Sequence, residues 1–175
     1  TRLRELCCSP QLLDRGYSGP SGKIKATMNL IKDEMADNHK ILLFSQFTSA
    51  LAILKEKLAN AGIKYFVIEG KTKKADRLQF VDKFNSYDQP AVFLISLKAG
   101  GTGLNLTSAD VVIHFDPWWN IAAENQATDR AHRIGQKNNV TIYKMIAQNT
   151  IEEKIIEMQQ KKAALANSIL SGNEL

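Results

Sequence analysis

Short apolar runs alternate along the chain with longer stretches in which apolar residues recur every three or four positions. The short runs are apolar almost throughout, as expected for strands that are covered on both faces of a sheet. They lie at residues 41–45, 65–70, 91–96, 111–116 and 140–146. The longer stretches predict helices at 23–37, 48–61, 73–85 and 120–133. Strand–helix alternation of this kind predicts a three-layer α/β fold with a central, mainly parallel sheet.

The two ends of the chain do not follow this alternation. Residues 1–19 start with a helical pattern and no initiating Met, and we interpret them as an N-terminal helical or linker segment of a longer protein. Residues 20–147 hold the alternating pattern, and residues 148–175 predict one C-terminal helix that packs on the same domain. That helix is predicted to be amphipathic from apolar residues at helical spacing: Ile151, Ile155, Met158, Leu165 and Ile169.

Composition narrows the class of protein. The chain has 175 residues, of which 44% are apolar and 23% charged, and this balance suits one globular domain. The net charge of +5 fits an anionic partner, and it fits a solvated lysine-rich surface equally well. No apolar run reaches the length of about eighteen residues that a membrane helix needs, so no membrane partner is expected. The adjacent Cys7 and Cys8 are expected to be reduced thiols of an intracellular protein.

Polar and Gly-rich residues follow four of the predicted strands. In an open α/β sheet, binding and chemistry gather at the carboxyl ends of the strands, which lie along one edge. The residues predicted at this edge are Ser45 and Gln46, Gly70 to Thr72, Ser96 to Gly103, and Asp116 to Asn120.

Two short patterns imitate a nucleotide site without completing one. Gly70-Lys71-Thr72 resembles the tail of a P-loop, but Tyr65 occupies the position of the required first glycine. Asp33-Glu34 resembles a magnesium-binding pair but lies in the middle of a predicted helix, where two solvated carboxylates are the simpler interpretation. We therefore expect the chain to hold neither ATP nor Mg²⁺ by itself.

The segment QATDRAHRIGQ, residues 126–136, is the most informative. On a helix, Gln126, Arg130 and Arg133 share one face, and two guanidinium groups there suit a phosphate group. The alternative is ordinary surface ion pairing with Asp129 or Glu124. Asn120 can cap the start of this helix. A neighbouring stripe of small residues would let the helix pack closely on the sheet: Ala123, Ala127 and Ala131.

A Gly-rich turn follows the third strand, in SLKAGGTGLNL. Glycines permit close approach of the backbone to a phosphate chain. Ser96, Lys98 and Thr102, together with free N–H groups, could contact phosphates of a nucleotide or of a nucleic acid.

Taken together, KILLFSQFTSAL, SLKAGGTGLNL, VVIHFDPWWN and QATDRAHRIGQ, in this order, resemble motifs of the Swi/Snf-type DNA translocase ATPases of helicase superfamily two. The resemblance covers nearly the whole chain. DRAHRIGQ distinguishes it from DEAD-box RNA helicases. The resemblance to this family implies a RecA-like lobe, namely the C-terminal one of the two lobes that form the ATPase motor.

The resemblance also implies roles for single residues. Arg130 and Arg133 would be arginine fingers that reach ATP, with Gln126 near the γ-phosphate or the attacking water. Residues that bind nucleotide or couple it to DNA would be Gly101, Gly103, Asn105 and Asp129. DNA phosphates would be contacted by Gln46, Thr48, Lys71, Thr72, Ser96 and Lys98. No metal ligand is assigned to the chain.

The implied partners are double-stranded DNA, an N-terminal RecA-like lobe that mainly holds ATP and Mg²⁺, and, as a candidate, a DNA-bound protein that is remodelled. The chain alone is expected to be inactive. It would act at the nucleoid in a bacterium or in the nucleus of a eukaryote. Two alternatives stay open: a non-catalytic module that binds nucleic acid or protein, and the C-terminal lobe of an RNA helicase.

Three positions depart from the family pattern: Glu69, Lys71 and Ile121. They leave open which contact Lys71 makes. Trp118 and Trp119 are interpreted as buried packing residues rather than as a platform for stacking bases.

Overall fold

The computed structural model describes residues 1–97, 99, 104–129 and 139–171. The strands are β1 Ile41–Ser45, β2 Tyr65–Ile68, β3 Val92–Ser96, β4 Val111–His114 and β5 Thr141–Lys144. The helices are α1 Arg2–Cys8, α2 Gly22–Ala36, α3 Thr48–Asn60, α4 Lys74–Asn85, α5 Ile121–Thr128 and α6 Ile151–Ser171, with a 3₁₀ turn at Pro10–Leu12. Each predicted strand and helix is present among the described residues, with ends that differ from the prediction by a few residues. Residues 130–133 of the helix predicted at 120–133 lie outside the described ranges.

The five strands form one parallel sheet in the order β2-β3-β1-β4-β5. β1 lies in the centre, with Ile41 opposite Val92 of β3 and Val111 of β4. The predicted three-layer, RecA-like α/β fold with a mainly parallel sheet is therefore confirmed.

The strand side chains are divided between two cores, one on each face of the sheet. Because successive side chains of a strand point to opposite faces, Leu42 and Phe44 join the core beneath α4 and α5, whereas Ile41 and Leu43 join the core beneath α2 and α3. β1, β3 and β4 are buried throughout, which explains why their sequences are apolar without alternation.

α6 contacts the rest of the fold along its first turns. Glu152, Ile155 and Gln159, at helical spacing, are buried. Further along, Met158 and Leu165 are 44% and 63% exposed, so the apolar stripe is only partly covered. Within the described ranges, no helix combines the length and the apolar character needed to cross a membrane.

A buried ion pair connects α2 with the start of α6. The Lys23 ammonium donates to the Glu152 carboxylate, to Phe115 O at 3.1 Å and to Met145 O at 2.9 Å, so all three of its hydrogens are used. The Glu152 carboxylate also accepts from Ala147 N at 2.8 Å. This pair therefore connects α2 with the residues after β4 and β5 and with α6.

Removal of one partner of this pair should destabilise the chain strongly. Lys23→Met or Glu152→Met leaves an uncompensated buried charge, and we expect a loss of about 3–5 kcal/mol in the free energy of unfolding. The double variant Lys23→Met/Glu152→Met should lose much less than the sum. Urea unfolding of the wild type, the two single variants and the double variant measures the coupling energy between Lys23 and Glu152. The exposed Lys32→Met on the same helix is the control. Additive losses would contradict the prediction.

Candidate functional site at the carboxyl ends of the strands

The centre of the carboxyl edge is a topological switch point between β1 and β4. The chain leaves β1 towards α3 on one face and leaves β4 towards α5 on the other, so the two connections diverge. Ligands of open α/β sheets bind in the crevice that such a divergence creates. In this chain the crevice is bordered by Ser45 and Gln46 on one side and by Asp116 and Pro117 on the other.

Asp116 is fully buried at the base of this crevice. Its carboxylate accepts hydrogen bonds from Ser45 Oγ at 2.5 Å and from Gln46 N at 3.2 Å, and Arg4 Nη2 lies 3.6 Å away. Burial raises the pKa of Asp116 to about 6, although these hydrogen bonds and the charges of Arg4 and Lys23 lower it. The carboxylate serves to join the loops after β1 and β4.

His114, at the end of β4, is buried next to Phe44 and Trp118. The Thr128 hydroxyl donates to Glu124 O at 3.2 Å, so it accepts from His114 Nε2–H, which is 3.0 Å away. Burial lowers the pKa of His114 to about 4. The imidazole is therefore neutral and links β4 to the end of α5.

Asp116 and His114 should affect stability in opposite directions over the same pH range. The pKa of Asp116 is about 6 in the fold against 3.8 unfolded, so its contribution falls as pH rises from 4 to 6. The pKa of His114 is about 4 against 6.5, so its contribution falls as pH drops from 6.5 to 4. Each effect amounts to about 3 kcal/mol, and in the wild type they largely cancel.

Single substitutions should expose each effect. Relative to the wild type, Asp116→Asn should lose stability steeply as pH drops from 6.5 to 4, because only the His114 effect remains. His114→Gln should instead gain stability relative to the wild type over that range. Urea midpoints at a series of pH values measure both. Identical pH dependence in all three proteins would contradict the two pKa shifts.

Glu124, in the first turn of α5, is buried and connects this helix with β5 and α6. Its carboxylate pairs with Lys144 at the end of β5, accepts from Trp118 N at 3.3 Å and lies 3.5 Å from Gln159 Nε2 on α6. The same Gln159 amide donates to Trp118 O. Glu124 was one alternative partner for the arginine pair; in the described part of the chain its carboxylate is held by Lys144.

α5 begins as the sequence predicts. Asn120 caps it, because its Oδ1 accepts from Ala122 N at 3.0 Å and from Ala123 N at 3.4 Å. Ala123 and Ala127 pack against the core, as the predicted small-residue stripe requires. Gln126 is exposed, so this turn of the predicted phosphate-binding flank faces solvent. Three residues of the same prediction lie outside the described ranges: Arg130, Ala131 and Arg133.

The residues predicted to bind nucleotide or to couple it to DNA are placed only in part. Asn105 and Asp129 are exposed, and Asn105 O accepts from Asn85 Nδ2 at 2.9 Å. Gly101 and Gly103 lie outside the described residues.

The residues predicted to contact DNA differ in exposure. Thr48 begins α3 and is exposed, and Lys71 is exposed and 3.2 Å from Glu69. The half-buried Gln46 donates from Nε2 to Pro117 O at 3.0 Å, so part of its hydrogen-bonding capacity is used within the chain. Ser96 is buried, and its hydroxyl has no hydrogen-bond partner among the described residues. Lys98 lies outside the described ranges.

The turn after β2 is closed on itself. Thr72 N donates to Glu69 O at 2.9 Å, and the Thr72 hydroxyl accepts from Glu69 N at 3.0 Å. Arg77 of α4 donates to Thr72 O at 2.8 Å, to Gly70 O at 3.0 Å and to Ala99 O at 3.4 Å. Arg77 therefore joins the turns after β2 and β3. The sequence did not predict this role of Arg77, because every residue has a backbone carbonyl and hydrogen bonds to carbonyls therefore produce no sequence motif.

The two tryptophans have different environments. Trp118 is 2% exposed and packs against Phe44 and His114, as predicted. The prediction was wrong for Trp119, which is 44% exposed, with the Arg4 guanidinium 5.9 Å from its ring centre. Burial of the segment after β4 thus extends through Trp118 and ends at Trp119. Cys8 is a buried free thiol, and burial raises its pKa.

Comparisons with known proteins agree with this architecture. Residues 22–135 match the model of the helicase conserved C-terminal domain family. An "Uncharacterized ATP-dependent helicase" of Mycoplasma pneumoniae is 46% identical over 169 residues, which are 97% of this chain and 16% of that protein. The "ISWI chromatin-remodeling complex ATPase ISW1" of Saccharomyces cerevisiae is 37% identical over 184 residues, with 98% and 16% covered.

A solved structure is similar in both sequence and fold. The crystal structure of the C-terminal part of the Fun30 ATPase domain matches with a TM-score of 0.76 and 38% identity, over 90% of this chain and 53% of that one. The chain belongs to the helicase conserved C-terminal domain family. Within that family it is a Swi/Snf-type lobe, as its motifs predict. It spans about a sixth of the length of the curated relatives quoted above.

Proposed function

We propose that the chain is the second motor lobe of an ATP-dependent double-stranded DNA translocase. Its family membership and the names of its relatives, which include a chromatin-remodelling ATPase, support this function. A first RecA-like lobe and duplex DNA would be its partners, and a DNA-bound protein would be the remodelled target. Action at the nucleoid or in the nucleus follows from this proposal.

ATP and Mg²⁺ would be held mainly by the first lobe. The closed turn after β2 supports this division of labour. The Gly70 and Thr72 carbonyls accept from Arg77, and the Thr72 N–H donates to Glu69 O, so this amide is not available to a phosphate. A phosphate cradle needs such amides to be free. This P-loop-like turn therefore gives no support to ATP binding by the chain alone.

The chain would contribute positive charge to the transition state. Gln126 is exposed while the adjacent Ala127 is buried, so α5 packs on the core with the Gln126 flank outwards. Arg130 and Arg133 follow Gln126 at spacings of four and then three residues. Guanidinium groups at that flank would stabilise the negative charge that develops on the γ-phosphate, which can accelerate hydrolysis by roughly 10³–10⁵.

Removal of an arginine finger should affect hydrolysis rather than DNA binding. In the full-length protein that contains this lobe, we expect Arg133→Ala or Arg130→Ala to lower the DNA-stimulated kcat by roughly 10³ or more. DNA affinity should change little. Arg15→Ala, at an exposed position remote in sequence, is the matched control. An unchanged rate in both finger variants would disprove the assignment.

The turn between β2 and α4 supports the proposed contacts with the DNA backbone. Lys71 projects from it with 87% of its side chain exposed, and Thr48 is exposed after β1. Both follow carboxyl ends of strands, so they share one edge of the sheet. Arg77 holds the Lys71 turn in place through Gly70 O and Thr72 O. Contacts of exposed cations with phosphates are independent of base sequence and weaken with salt.

A charge reversal at this edge should weaken DNA binding. Lys71→Glu or Lys98→Glu should lower affinity for duplex DNA and reduce the slope of log K against log salt by about one. Lys83→Glu is the matched control, because α4 runs antiparallel to the strands and Lys83 lies at its other end. Equal effects of Lys71→Glu and Lys83→Glu would indicate that the net charge of the chain, rather than this edge of the sheet, determines DNA affinity.

Preferential stimulation of ATP hydrolysis by single-stranded RNA would favour the RNA helicase alternative.

The non-catalytic alternative is tested with the isolated chain. We expect the 175-residue chain to bind duplex DNA weakly and to hydrolyse no ATP, and the full-length protein to hydrolyse it. If the full-length protein binds DNA but is inactive as an ATPase, the lobe is a binding module and the motor proposal is wrong.

A further inference from the structure

Arg4 of α1 occupies the crevice in which an open α/β sheet ordinarily binds its ligand. Its Nη2 donates to Pro117 O at 2.8 Å and lies 3.6 Å from the Asp116 carboxylate. Its guanidinium lies 5.3 Å from the ring centre of Phe47 and 5.9 Å from that of Trp119. One side chain from the N-terminal segment thus contacts both borders of the switch point.

These contacts fall on the residues that lead into α5. Pro117 and Trp119 lie three residues and one residue before Asn120, the N-cap of α5. Phe47 is the N-cap position of α3, on the opposite side of the crevice. The Pro117 carbonyl accepts from Gln46 Nε2 as well as from Arg4, so it is held from both sides.

We propose that Arg4 is a positioning residue, which fills this crevice and holds the Asp116–Asn120 loop so that α5 starts in one fixed place. The loop and α5 belong to the segment that would present Gln126, Arg130 and Arg133 to ATP. The structural part of the proposal is independent of the proposed function, and only its consequence for hydrolysis rests on that function.

The chemistry of the crevice requires a guanidinium group. A guanidinium group has several donors at fixed positions, so it can donate to the Pro117 carbonyl while its charge lies within cation–π distance of Phe47 and Trp119. The guanidinium also places a positive charge 3.6 Å from the Asp116 carboxylate, which partly compensates the cost of burying that carboxylate. A lysine ammonium is a compact point charge without this fixed fork of donors, so it could approach Asp116 but would not reproduce all of these contacts at once.

The same contact helps to place α1. It has seven residues, and a helix of that length is unstable without tertiary contacts. Arg2, Leu3 and Leu6 are exposed, whereas Cys8 at its C-terminus is buried, with Cys8 O accepting from Ser21 Oγ at 3.1 Å. Arg4 and Cys8 therefore anchor the helix, and the Arg4 contact ties its position to that of α5.

Hydrogen exchange in the full-length protein tests the positioning role directly. Loss of a charge-assisted hydrogen bond should make local opening about ten- to a hundredfold more frequent. In Arg4→Met, amides of residues 116–128 should therefore exchange faster by that factor, while those of β3 stay unchanged. Arg2→Met, an exposed arginine of the same helix, should change neither. Faster exchange confined to α1, with residues 116–128 unaffected, would overturn the proposal.

Two further variants separate this role from simple packing. Arg4→Lys should give intermediate protection of residues 116–128, and it also serves if Arg4→Met does not fold. Protection equal to that of the wild type would overturn the requirement for a guanidinium. In Arg4→Ala, added methylguanidinium should enter the vacated crevice and restore protection, whereas methylammonium should not. Equal rescue by both cations, or by neither, would count against the proposal.

Steady-state kinetics test the consequence for hydrolysis. Arg4→Met should lower the DNA-stimulated kcat about tenfold and leave the KM for ATP and the half-saturating DNA concentration within about twofold. An unchanged kcat despite a loosened loop would overturn the link to hydrolysis. If the wild-type full-length protein hydrolyses no ATP, the proposed function fails, and the exchange experiment still decides the role of Arg4.

Discussion

A charge can be buried only if a partner compensates the loss of its hydration, and this constraint organises the carboxyl edge of the sheet. Asp116 is compensated by Ser45, Gln46 N and Arg4, and Lys23 by Glu152 and two carbonyls. Each of these sets joins residues from different loops and helices. This edge is therefore held by specific polar contacts in addition to the apolar packing on the two faces of the sheet.

The same contacts determine where functional side chains can be presented. α5 is fixed at its start by its cap, by Glu124 and by the loop that Arg4 holds, and at its end by the His114–Thr128 hydrogen bond. The turn after β2 is fixed by Arg77. Exposed groups such as Gln126 and Lys71 thus project from backbone whose position is determined by buried neighbours.

Much of the fold follows from local pattern. Buried parallel strands must be apolar on both faces, so the sequences ILLFS and VFLIS predict strands without reference to the rest of the chain. The capping residue Asn120 acts on the next few amides and is equally local. The predicted burial of Trp119 was wrong, because two adjacent aromatic residues give no indication of which one faces the core.

The sequence by itself determined the α/β class, the order of its elements, the Swi/Snf-type motifs and the N-cap of α5, because these depend on residues close in the chain or on an ordered set of motifs. Only the tertiary structure decided that Arg4 meets Pro117, 113 residues away, and that Lys23 meets Glu152, 129 residues away. Such contacts depend on which strands become neighbours in the sheet, and a carbonyl or a lone charge carries no sign of its partner.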